Sequence, residues 1–150
     1  MAEWDELDDG LLSASCADEP CGTMTLLPVP EAVSRARRWF RFFLEPHKPT
    51  CSMDDCVLVI SELVTNAIVH GEAEEGMRVH LLWRREGTDL HVEVHNPGAP
   101  EKVGQRPHAE ESEHGRGLWL VDMLTDSWHA GPGDHGGTVV SFVMAGTWPK

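Results

Sequence analysis

Apolar residues recur along this chain with two different periods. Val33, Ala36, Phe40, Phe43 and Leu44 are spaced by three and four, which predicts one buried face of a helix starting near Pro30. Pro46 and Pro49 close that helix. A second helix follows, capped by Thr50 or Ser52, with Asp54 and Asp55 in its first turn. It runs to about His70, and Gly71 is its expected stop. The period then shortens to two. Met77–Arg84 and Asp89–His95 read as strands joined at Glu86-Gly87-Thr88, a hairpin in which Val92 and Val94 alternate with His91, Glu93 and His95. Thr23–Leu27, Ser127–Ala130 and Thr138–Met144 are three further expected strands, the last two joined by GPGDHGG. Asn96 to His114 breaks the pattern with Pro, Gly and charge, and a loop of that length inside a domain is usually functional or disordered. Helical spacing returns in GRGLWLVDMLTD, where Leu118, Val121 and Leu124 form the apolar face.

Strands and helices in this order do not strictly alternate. The expected class is α+β: a two-layer sandwich of a mainly antiparallel, mixed sheet with three helices on one face. At 150 residues and 41% apolar content, the chain suits one domain with its own core. Residues 1–22 are expected to form an acidic, flexible tail, and 23–150 the domain.

Charge narrows the function classes. The net charge is −13, and residues 1–30 carry seven acids and no base. Phosphate contacts need Lys and Arg, so direct nucleic-acid binding is not expected. An electrostatic membrane anchor is not expected either. No apolar run approaches a transmembrane length, and the acidic N-terminus is unlike a secretory signal, so a cytoplasmic location is expected. The bases gather in RARRWFR, Arg35 to Arg41, a solvated helix face or a patch for an acidic partner. Cys16, Cys21, Cys51 and Cys56 fall in two C-x4-C pairs without zinc-finger spacing, and are expected to be free thiols. His91 and His95 share a strand face, and with His80 on the paired strand they form a candidate metal cluster, though nine histidines make such coincidences common.

The second helix poses the chemical question. Within SELVTNAIVHG, Glu62 and Asn66 are four residues apart and emerge from one face, a row that His70 continues. Read alone, they are ordinary exposed helix residues. Four segments in order change that: ELVTNAIVHG, VEVHNPGAP after a strand, GRGLWLV opening the third helix, and GGTVVSF on the last strand. Together they resemble the Bergerat-fold ATPases over roughly residues 23–145. Within that class the chain is similar to the small anti-sigma-factor serine kinases of actinobacterial type. There is no Walker A pattern, which excludes a P-loop enzyme, and no G-x-S-x-G element.

The resemblance implies ATP and Mg2+ as cofactors. It makes Asn66 the magnesium ligand and Glu62 the catalytic base. Gly115, Arg116, Gly117 and Leu118 become the element that approaches the phosphates, where a helix start and an arginine suit anions. Glu101 to His114 corresponds to the family's ATP lid. Thr138 stands where a small hydroxyl residue lies near the adenine. The strand before the lid usually ends in Asp-x-Gly, the Asp accepting from the adenine amino group. Here Asn96 replaces that Asp, and Gly98 matches the Gly. Asn keeps a carbonyl acceptor but loses charge assistance, about 1–2 kcal/mol. The implied function is a serine/threonine protein kinase acting as an anti-sigma factor that phosphorylates a small antagonist. Its partners would be a sigma factor, the antagonist (anti-anti-sigma) protein, and a second copy in a homodimer. The alternative is a catalytically weak module of the same fold that sequesters its partner, which Asn96 favours.

Overall fold

A computed structural model describes residues 11–16, 21–70, 78–96, 113–133 and 137–149, with the backbone alone at 11–16, 70 and 113–118. The elements run β1 (Leu11–Cys16), β2 (Gly22–Leu26), α1 (Glu31–Leu44), a 3-10 turn (Glu45–His47), α2 (Met53–His70), β3 (Val79–Glu86), β4 (Asp89–Asn96), α3 (Glu113–Leu124), β5 (Ser127–Pro132) and β6 (Thr138–Met144). The strands form one sheet in the order β1-β2-β3-β4-β6-β5. Every pairing is antiparallel, so the sheet expected to be mainly antiparallel carries no parallel pair among the described residues. The α+β class and the helices on one face are as the sequence predicts.

Strand alternation builds the floor. Inward positions are Met24 and Leu26 on β2, Val79, Leu81 and Trp83 on β3, Leu90, Val92 and Val94 on β4, and Val140, Phe142 and Met144 on β6, all buried. The helices cover this face. On α1, Ala32, Ala36, Phe40, Phe43 and Leu44 are buried, and the expected Val33 is only partly so. Phe40 meets the Trp83 ring edge-on at 5.3 Å, and Phe43 stacks on it at 6.0 Å, so α1 is keyed to β3 through aromatic contacts.

Helix α2 is the central helix. It packs against α1 on one side, α3 on the other, and β3 and β4 beneath. That is why its buried set (Cys56, Val57, Val59, Ile60, Leu63, Val64 and Ala67) is wider than a single stripe. Ser52 starts it: its Oγ accepts the Asp55 N–H at 3.1 Å, and its carbonyl accepts the Cys56 N–H at 3.1 Å. The other expected cap, Thr50, spends its hydroxyl elsewhere, donating to the Thr147 carbonyl at 2.7 Å. Gly71, the expected stop, lies outside the described residues.

Two elements depart from the sequence expectation. Leu11–Cys16, inside the segment expected as an acidic tail, forms the edge strand β1 paired with β2. Its LLSASC sequence is uncharged, and the acids of the first thirty residues lie on either side of it. Helix α3 begins at Glu113, so Gly115 and Gly117 lie inside its first turns and His114 belongs to the helix. The C-terminal end also packs. Thr147 and Trp148 are buried, and the Trp148 N–H donates to the Thr88 carbonyl in the β3–β4 turn at 3.0 Å. Gly87 gives that turn its positive φ of 65°.

Candidate functional site

The helix-facing side of the sheet changes character at one end of β4 and β6. Each inward position along these strands is apolar until Asn96 ends β4 and Thr138 opens β6, and the register sets these two directly opposite each other. Asn96 is 4% exposed and Thr138 1%. Both stand on the strands' buried phase, so the polar pair continues the core rows and does not face solvent. Burying an amide beside a hydroxyl is costly unless their hydrogen-bonding groups are satisfied, so such a pair marks a place where polar groups are needed.

Above the floor, α2 carries the second polar set. Asn66 is 4% exposed, while Glu62, one turn earlier, is half-buried. Between and beside them Leu63, Val64 and Ala67 are sealed in the core. The helical repeat therefore puts Glu62 and Asn66 on one flank of a helix that is otherwise almost wholly apolar there. Ser61, also buried, has a local role: its hydroxyl donates to the Val57 carbonyl at 2.9 Å. The flank belongs to the helix that contacts both β4 and α3. Asn66 and Asn96 thus lie on elements in direct contact.

The third set is only partly defined. Gly115, Arg116, Gly117 and Leu118 occupy the first turns of α3, with backbone positions alone described. Gly98 and most of the expected lid, 101–112, lie outside the described residues. Further along α3, Val121 is buried and Leu124 packs against the core, as the spacing predicts. Trp119 and Met123 project from the helix and are mostly exposed.

The donor set of the α2 flank is an amide oxygen and a carboxylate. Those are hard oxygen donors, and they fit magnesium, which takes few protein ligands and keeps waters and phosphate oxygens. Asn66 would hold the cation, with Glu62 beside it.

The histidine cluster does not survive as a metal site. The rings have protein partners: His80 Nδ1 lies 3.3 Å from Thr25 Oγ1, His91 Nε2 3.1 Å from a Glu86 oxygen, and His95 Nε2 2.9 Å from a Glu93 oxygen. Among the described residues no group of three His, Cys, Asp or Glu is placed to hold a metal. Cys21, Cys51 and Cys56 are free, and burial pushes the Cys56 thiol well above its ordinary range, which makes it unreactive.

The basic run on α1 is partly used within the fold. Arg41 reaches the start of α2, with Nη2 2.9 Å from Asp54, and also meets Glu45 at 3.4 Å. Arg37 and Arg38 are exposed. The opposition of Asn96 and Thr138 is the relationship that motif reading missed. The signal was available: both strands keep strict alternation, and in both the terminal inward position is polar. Among the described residues no helix is long and apolar enough to cross a membrane.

No curated protein matches this chain closely enough for comparison. A family profile does match. It spans residues 27–144, from the end of β2 to the end of β6, and so includes α2, the Asn96–Thr138 pair and α3. With that match over most of its length, the chain belongs to the histidine kinase-like ATPase domain family.

Proposed function

We propose that this domain binds ATP with magnesium and transfers the γ-phosphoryl group to a serine or threonine of a small antagonist protein, acting as an anti-sigma factor in a partner switch. The observation that carries the reading is the α2 flank: a buried Asn66 one turn after Glu62, on the helix that bridges β4 and α3. An amide sealed into an apolar helix flank is expensive to keep without a task. The family match supports nucleotide binding.

In this mechanism Asn66 would hold the cation, which would supply neutralisation of phosphate charge when bound. Glu62 orients the partner's hydroxyl and takes its proton. The hydroxyl oxygen bonds to the γ-phosphorus, and the bond from that phosphorus to the β–γ bridging oxygen breaks, releasing ADP. Arg116 and the first N–H groups of α3 steady the phosphates. The partners of this reading are a sigma factor and its antagonist, with a second copy of the chain in a homodimer.

A second reading is a partner-sequestering module with little turnover. Asn96 favours it, since an uncharged amide stands on the floor strand where an acid would hold adenine more firmly.

Calorimetry of ATP with and without magnesium, on wild type and Asn66→Ala, tests the binding. Magnesium-dependent heat that weakens at least tenfold in the variant is expected. No heat in wild type would overturn the nucleotide reading and leave sequestration.

A further inference from the structure

The two flanks of α1 have different surroundings. On one, Arg41 reaches Asp54 and fixes that side against α2. The helical repeat puts Arg35, Arg38, Trp39 and Phe42 on the opposite flank. That flank lies toward the sheet margin, since β1 is the edge strand and α1 contacts both β1 and β2. Arg38 is exposed, and the Phe42 ring, 52% exposed, stands edge-on to Trp39 at 5.3 Å. Aromatic surface beside guanidinium groups suits an acidic segment that carries an aromatic of its own.

Residues 1–10 lie outside the described residues, but the strand they lead into is placed. β1 pairs with β2, Leu11 opposite Leu26 and Cys16 opposite Gly22. Leu26 is followed closely by α1, so the segment before Leu11 enters beside the start of that helix. The helix then doubles back over β2, for Phe40 and Phe43 pack on Trp83, the partner of Gly22. Phe42 lies about 16 Å along the axis from Glu31. Trp4 can stand up to about 23 Å from Leu11 when the chain between them is extended. The stretch MAEWDELDD holds five acids, no base and that tryptophan. It has the charge opposite to the arginines, a ring for Phe42 and the length to bring both there.

We propose that residues 1–9 dock in cis along the Arg35–Phe42 flank of α1, with the Trp4 indole against Phe42 and the acids beside the arginines. This N-terminal arm is then a built-in occupant, and any acidic partner that uses the flank has to displace it. The inference does not depend on the nucleotide reading.

The test is cleavage of the full chain after Glu3 and Glu6 by a glutamate-specific protease, followed by mass spectrometry. The reference is a free peptide of residues 1–12. Cleavage is expected to be about tenfold slower in the full chain, because only the undocked arm is cut. Phe42→Ser removes the aromatic seat and should restore most of the peptide's rate. Arg38→Glu reverses the charge and should speed cleavage about threefold. Both side chains are exposed, and circular dichroism verifies that each variant is folded. Wild-type cleavage at the peptide's rate overturns the inference without any variant. Unchanged rates in both folded variants also overturn it. Protection that disappears on about a hundredfold dilution assigns the arm to a second copy and overturns docking in cis.

Discussion

The indole N–H of Trp148 donates to the His47 carbonyl at 3.0 Å, joining residues that are 101 positions apart. His47 lies in the turn that closes α1, and Trp148 follows the last strand. Trp148 is 3% exposed, and the Arg85 guanidinium lies over its ring at 5.0 Å. Through its indole and its backbone N–H, which donates to the Thr88 carbonyl, this one residue ties the helical layer, β3 and the β3–β4 turn to the C-terminal end. Trp148→Ala is expected to cost about 3–5 kcal/mol, since it removes a buried aromatic and leaves a cavity. Urea denaturation followed by circular dichroism checks this. A loss below about 1 kcal/mol would mean the C-terminal segment is not part of the cooperative core.

Glu62→Gln keeps the shape of the side chain and removes its ability to take a proton. Phosphoryl transfer is expected to fall by about 10²–10⁴-fold, with ATP affinity little changed. Single-turnover kinetics with labelled ATP, beside calorimetry of the same variant, separates the two effects. An equal loss in affinity would assign Glu62 to nucleotide or cation binding.

Ser52→Ala removes the hydroxyl oxygen that accepts the Asp55 N–H at the start of α2. The expected loss is about 1 kcal/mol, seen as a lower denaturation midpoint with an unchanged slope. Thr50→Ser should be nearly silent by comparison, because the hydroxyl that serves Thr147 is retained.

His80 supplies a pH dependence. Partial burial, then the neighbouring His95 and Arg78, lower its pKa from the ordinary 6.5. It lies opposite His95 on β4, with Thr25 on β2 at 3.3 Å from its ring. A depressed folded-state pKa means the unfolded chain binds the proton more readily. The stability from the neutral ring is thus present above the unfolded value and is lost as pH falls through the lowered one. Wild type should lose stability below about pH 6.5, and His80→Gln should flatten part of that slope. Denaturation at pH 7.5 and 5.5 checks it, and an NMR titration placing His80 at or above 6.5 would contradict it.

Much of this architecture was legible because long segments with clean periods specify their own partners. β6 starts and ends where the alternation places it, and α1 buries most of the expected face. β1 was not legible. Its six residues are short and uncharged but embedded in acids, and composition spoke for the tail before pairing with β2 could. The early start of α3 was hidden by its own glycines, which read as helix openers because glycine is a poor interior residue. That Glu62 and Asn66 share one face of α2 was readable from spacing. The depth of Asn66 was not, since it depends on α2 being enclosed on three sides. The metal reading of the histidines failed because alternation places rings on one face without saying that Thr25, Glu86 and Glu93 meet them.

The strand order has a consequence for how the molecule opens. Asn96 and Thr138 are borne by β4 and β6, each flanked on both sides, whereas β1 and β5 are the edges. Local unfolding proceeds from weakly held margins inward. On the β1 side, two further strands separate the edge from β4, so β1 can detach and rejoin without disturbing the polar pair. Amide exchange should then fall in tiers from β1 through β2 to β4, with the backbone of Val94 and Val140 among the last to exchange. The edge is free to serve as a detachable margin while the floor that would hold a nucleotide keeps its shape.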